Sequence, residues 1–325
     1  MLYIRRYLST GVNLGDKISR SWKDEATAIM EGGANLMVRF VIEKINEKLH
    51  KANPILKLAA IAERERLADI FAPYVMAIGV VVYSPAAFNA SNISKVLKAV
   101  GAKPNPIILR IAAGLDFKIY LEYAHMLYFL KSIHMACTTE LLLSLADAVG
   151  IPKNKEVAEA VISKDQIEAI PVLSDIRFAK LGETLLSSIS GIVGLIARIH
   201  IFEMERTYEA EEFERLLDKG LMAYLYAGDI LSENGKDITK ENISGILRAV
   251  KIEPDEETLR YVMQMDYTVL KFAYAPAIYL LKTLKKEEDP KSIIAILSSV
   301  GISSNQEIAA YILTIYNEYF ASINK

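Results

Sequence analysis

Apolar residues recur along this chain at i, i+3, i+4 and i+7. Ile243, Ile246, Leu247 and Val250 form one such stripe, and Ile293, Ile296, Leu297 and Val300 form another. That spacing places the apolar side chains on one face of an α-helix. Shorter stripes follow each of these, Leu259, Val262 and Met263 in one case and Ile308, Ile312 and Leu313 in the other. No stretch of any length alternates apolar and polar residues as a half-buried strand would, so the pattern predicts an all-α fold.

The stripes belong to a longer repeat. "SNISKVLKAVGAKPNPIILR" at 91–110 returns as "ENISGILRAVKIEPDEETLR" at 241–260. Asn92-Ile93-Ser94 matches Asn242-Ile243-Ser244, Arg110 matches Arg260, and Asp116-Phe117 matches Asp266-Tyr267. One inserted residue later, "LYFLKS" at 127–132 matches "IYLLKT" at 278–283 and "VGIPKNKEVA" at 149–158 matches "VGISSNQEIA" at 300–309. Each half is itself double, because Ala99-Val100-Gly101 recurs as Ala148-Val149-Gly150, and Ala249-Val250 as Ser299-Val300-Gly301. The chain therefore reads as four helical units in two halves.

Helix signals fall in columns across the four units. Asn89, Thr138, Thr239 and Asp289 share one column, and Asn105, Asn154, Asp255 and Asn305 share a second. All have side chains that can accept from an orphan N–H of a helix's first turn. Pro290 follows Asp289, at the first helical position, where its missing N–H is harmless. Gly101, Gly150 and Gly301 end three of the stripes as left-handed C′ residues do, whereas Lys251 calls for a different ending. Each unit then reads helix, turn, helix, turn, helix.

The third unit, residues 221–273, resembles the N-terminal dimerisation domain of the archaeal and eukaryotic acidic ribosomal stalk proteins. The residues that carry the likeness are Tyr224, Tyr226 and Ala227, the helix start Ile238-Thr239-x-Glu241-Asn242-Ile243, and Leu247-x-Ala249. Ile252-x-Pro254-Asp255-Glu256 and the late Met265-Asp266 belong to it too. The first unit follows through the repeat, with Tyr74, Asn92-Ile93 and Leu115-Asp116. The resemblance implies that two units interlock as a dimer and clasp a helix of a partner protein. In a single chain, consecutive units would form that dimer internally. The expected divisions are an N-terminal helical segment at 1–72, a first pair of units at 73–170, a central helical segment at 171–220 and a second pair at 221–325. The two helical segments are expected to act as clasped spine helices, held at high effective concentration by their covalent attachment. Residues 171–325 would then fold alone. Stalk proteins end in a flexible arm that recruits translational GTPases, and the last unit here runs to "YNEYFASINK" without one.

Composition adds bounds. With 325 residues, 52% apolar residues and a formal net charge of -2, the chain has ample core material and no bulk attraction for nucleic acid or anionic lipid. Charge is uneven: residues 1–60 carry ten Lys/Arg against six Asp/Glu, and Glu203–Asp218 carries seven acids against two Arg. Both read as solvated helix faces, although Arg5, Arg6, Lys17, Arg20 and Lys23 offer a weak contact for ribosomal RNA phosphates. The uncharged runs Ile70–Ser94 and Thr184–Ala197 are broken or short for a membrane span. The opening residues lack a signal-peptide core, and the single Cys137 suits a reducing compartment, so a cytoplasmic location is expected.

Candidate chemistry is sparse. The histidines are His50, His125, His134 and His200. His134 and Cys137 could share a metal, but further ligands are not apparent in the sequence, so no metal, cofactor or catalytic residue is expected. "GIVG" at 191–194 is too short for a phosphate loop, and Gly191 and Gly194 read as sites of close helix packing. Tyr123, Tyr128, Tyr274 and Tyr279 fall in matched positions and read as packing residues. The function expected from the sequence is a non-enzymatic interaction scaffold, translation-associated by resemblance and monomeric. The alternative is a helical structural subunit of a cellular or viral assembly.

Overall fold

The computed structural model describes residues 36, 40–45, 47, 67–115, 117–165, 176–267 and 272–323, and among them the chain is helical with no strand. The first unit comprises α1 (Leu67–Val82), α2 (Ala90–Ala99) and α3 (Pro106–Ala113), and the second α4 (Phe117–Ser132), α5 (Thr139–Val149) and α6 (Lys155–Asp165). A long helix α7 (Ile176–Thr207) and a short α8 (Ala210–Asp218) come next. The third unit is α9 (Leu221–Glu233), α10 (Lys240–Ala249) and α11 (Glu256–Val262), and the fourth α12 (Tyr274–Thr283), α13 (Pro290–Ser298) and α14 (Gln306–Ile323).

Both cap columns are occupied as the sequence predicts. In the first, Asn89 accepts from the Asn92 N–H at 3.0 Å, Thr138 from Leu141 at 3.3 Å, Thr239 from Asn242 at 3.2 Å and Asp289 from Ser292 at 3.0 Å. In the second, Asn105 accepts from Ile107 at 2.8 Å, Asn154 from Val157 at 3.0 Å, Asp255 from Thr258 at 2.8 Å and Asn305 from Ile308 at 2.8 Å. These bonds satisfy first-turn donors that would otherwise be orphaned. The middle helix of every unit ends in the paired bonds of a Schellman motif, with C″ residues Ala102, Ile151, Ile252 and Ile302. Lys251 does not take a different ending. It adopts the same left-handed conformation, φ 61°, as Gly101, Gly150 and Gly301, because the paired carbonyl bonds require that backbone whatever the side chain.

A third column ties each unit together. The Tyr74 hydroxyl accepts from the Asn105 N–H at 2.6 Å, Tyr123 from Asn154 at 2.7 Å, and Tyr224 from Asp255 at 2.6 Å. In the fourth unit Tyr274 bonds the Ser304 hydroxyl at 2.6 Å instead. A tyrosine on the first helix thus fixes where the third helix begins. The stripes on the middle helices are buried as expected, but Met263 is turned out, 38% exposed, because α11 ends at Val262.

Pairing between units differs from the sequence expectation. The principal contacts join the first unit to the fourth, through α1 with α12 and α2 with α13, and the second to the third, through α4 with α9 and α5 with α10. The first contact is reciprocal. A β-carbon on Gly101 would lie 3.9 Å from the Lys286 ammonium nitrogen, and one on Gly301 would lie 3.6 Å from Pro85 Cγ, so the end of each middle helix meets the preceding turn of the other unit. Such exchange of equivalent contacts is the geometry of an isologous dimer, here within one chain. The repeat specifies the shape of each unit but not its mate, since all middle helices carry nearly the same stripe. The seam residues distinguish them: a β-carbon on Gly79 would sit 3.0 Å from Pro276 Cβ, and Ser144 donates to the Ala249 carbonyl at 3.2 Å. The halves therefore interlock, and the expected divisions at 73–170 and 221–325 are not separate pairs.

Candidate functional site

α7 and the described part of the N-terminal segment lie against the paired units. α7 packs on α1, α12 and α14, so it is held by the first and fourth units together. Its inward residues include Leu185, Ile189, Ile192, Leu195, Ile196 and Ile199, at the spacing of one helical face. Two polar side chains, His200 and Glu203, continue that face. Glu203 is fully buried, and it accepts from Tyr311 at 2.9 Å and from Arg206 at 2.8 Å. This corrects the reading of Glu203–Asp218 as wholly solvated: the first acid is an internal ion-pair partner. In the N-terminal segment, Phe40 packs on Tyr120 at 4.8 Å between ring centroids, and Lys164 of α6 pairs with Glu43. That segment therefore meets the second unit.

Between the two pairs of units lies an apolar cavity of about 140 Å³. α1, α4, α7, α9 and α12 each contribute to its wall, with Val75, Phe129, Ile192, Ile230 and Pro276 as examples. Tyr83, His125, Tyr128, Tyr226 and Asp229 bring polar groups to the wall. Asp229 of α9 reaches the lining, and His200 of α7 lies behind it with Nε2 2.8 Å from Asp229 Oδ1. The other ring nitrogen, Nδ1, is 2.8 Å from the Ile196 carbonyl. The ring therefore bridges a backbone carbonyl of its own helix and the carboxyl group of another. Both residues are buried, His200 8% and Asp229 7% exposed. Beside them His200, His125 and Tyr83 surround Phe272, with ring centroids 5.6, 6.2 and 5.5 Å from it.

The local sequence explains how Asp229 is held. Gly228 has no side chain, and a β-carbon there would fall 2.7 Å from the Tyr267 hydroxyl oxygen, so Tyr267 can pack directly on α9. Burial, reinforced by the Asp229 charge, pushes the Tyr267 phenol well above its ordinary range.

The other residues singled out from sequence are dispersed. Arg5, Arg6, Lys17, Arg20, Lys23 and His50 lie outside the described residues. His134 is exposed in a left-handed turn after α4, φ 55°. The Cys137 thiol is half-buried, points to the Leu127 carbonyl at 3.8 Å, and is pushed up by that burial. Among the described residues no group of three His, Cys, Asp or Glu could hold a metal ion. Gly191 does permit close packing, against the Tyr279 ring. Tyr123, Tyr274 and Tyr279 are buried, and the Tyr128 hydroxyl donates to Asp165 at 3.0 Å. One helical window, Ser187–Met204, is long and apolar enough to cross a membrane by length and composition, and half of it is buried inside the protein. Sequence reasoning missed the His200–Asp229 pair. Its signal was a lone acid within the apolar run "LMAYLYAGDIL" and a lone histidine within "LIARIHIF".

No family model, curated protein or solved structure matches the chain.

Proposed function

We propose that the protein is a non-enzymatic, helix-clasping scaffold that works by binding another protein, with the translation-associated role that the stalk-protein resemblance implies. One observation carries the reading. Paired units hold α7, a 32-residue helix of about 48 Å at 1.5 Å per residue, in the groove that α1, α12 and α14 form. Helix-in-groove recognition uses apolar anchors at helical spacing, as Ile189, Ile192, Ile196 and Ile199 are spaced. With that groove filled from within, a partner engages the outer surface or the basic segment Met1–Lys23.

Co-sedimentation with large ribosomal subunits, and affinity capture from native extract, test this reading. The full chain is expected to co-sediment at low salt. Deletion of Met1–Lys23 is expected to weaken the association and leave the helical circular dichroism unchanged. Absence of ribosomal proteins from the captured material would refute the translational role, and catalytic turnover by the purified chain would refute the scaffold reading itself.

A further inference from the structure

The cavity between the unit pairs is larger than packing defects ordinarily are. Interiors leave few voids wider than a water molecule. A cavity of about 140 Å³ is close in volume to the engineered apolar cavity of about 150 Å³ that takes up benzene. Its size sets the ligand scale at a single ring, well below the 300–1,000 Å³ of drug-sized pockets.

Its one acidic wall group sets the ligand's chemistry. Asp229 Oδ1 accepts from His200, yet among the described residues no donor reaches Asp229 Oδ2. A buried carboxylate oxygen without a donor is costly to leave unmet. A neutral hydroxyl answers that need without bringing a new charge into an apolar chamber. The aromatic cluster of Tyr83, His125 and Phe272 offers ring faces and edges at stacking distances nearby.

We propose that this cavity is a binding site for a small, single-ring molecule carrying one hydroxyl group, with the ring among Val75, Ile78 and Ile192 and the hydroxyl donating to Asp229 Oδ2. The site draws on both halves of the chain, so an occupant binds the interlocked state and stabilises it. The site stands independently of the scaffold reading, and neither requires the other.

Calorimetric titration of the full chain with phenol and with fluorobenzene tests the proposal. Fluorobenzene has the same shape and lacks the donor. Both are expected to bind one-to-one and to compete. Phenol is expected to bind no more weakly than fluorobenzene, although water holds phenol more strongly. Asp229→Asn turns an amide N–H₂ toward the cavity in place of the free acceptor. It is expected to weaken phenol tenfold or more and to leave fluorobenzene within twofold. Should that variant fail to fold, the comparison of the two ligands on the unaltered chain decides. Failure of both to bind, binding of fluorobenzene alone, or phenol affinity indifferent to Asp229→Asn would each overturn the assignment.

Discussion

Gly191 lies in the middle of α7, where two effects of Gly191→Ala oppose each other. Alanine stabilises a helix interior by about 1 kcal/mol relative to glycine. Against this, a β-carbon at 191 would fall 2.8 Å from Tyr279 Cε1, with Cζ and the hydroxyl oxygen closer still. The ring has little room to yield. Tyr279 is 4% exposed, and Tyr316 stands edge-on to it at 6.2 Å. Overpacking of this kind costs about 1–3 kcal/mol, and ring-atom overlap belongs at the upper end. The net expectation is a loss of roughly 1–2 kcal/mol. Gly245, mid-α10, supplies the control, because nothing lies within 4 Å of a β-carbon there. Gly245→Ala should therefore gain about 1 kcal/mol. Urea titration followed by circular dichroism, with unchanged m-values, measures both. Tyr279→Leu should remove much of the Gly191→Ala penalty in a double-mutant cycle. If Gly191→Ala stabilises the chain as Gly245→Ala does, α7 does not pack on α12 as described.

Three further outcomes follow from the units themselves. Thr239→Ala removes the cap of α10 and should lower stability by about 1 kcal/mol, read from the urea midpoint. Lys251→Gly relieves a left-handed lysine that its counterparts Gly101, Gly150 and Gly301 avoid, and should raise stability by about 0.5–1 kcal/mol. Burial, with Glu203, pushes the Tyr311 phenol up to about 12, and burial, with Glu288, does the same for Tyr316. Folding thus favours their neutral forms. The stability they contribute is complete below the ordinary phenol range near pH 10 and is lost as pH rises through about 12. Ultraviolet titration should show late-ionising tyrosines that appear together with unfolding. Their ionisation near pH 10 in a still-folded chain would contradict their burial.

The sequence was most legible where the physics is local. Asn89 and Asn305 cap helices that begin one residue later, so residue type and spacing sufficed to place them. The tyrosine column was equally regular. Tyr74, Tyr123 and Tyr224 each stand thirty-one positions before the cap residue they hold. That bond needs the first helix folded back on the third, which helical periodicity alone does not specify. Partner choice between units was illegible for a different reason. Ile243 and Ile293 occupy equivalent places in equivalent stripes, and discrimination came from seam contacts such as Gly79 with Pro276. His200 and Asp229 meet only because α7 and α9 converge on one chamber, so the sequence marks each as a lone polar residue in an apolar run without marking the two as a pair.

The central structural claim is that the first unit pairs with the fourth, across the halves of the chain. Gly79→Cys with Pro276→Cys, in a Cys137→Ser background, tests it most directly. Disulfides join β-carbons about 3.8 Å apart, and a β-carbon at 79 would lie 3.0 Å from that of Pro276, within reach after a small adjustment. Under mild oxidation the purified monomer should form an intrachain disulfide, seen as faster migration on a non-reducing gel that reductant reverses. Persistently free thiols, or disulfide-linked dimers in place of the looped monomer, would contradict pairing across the halves.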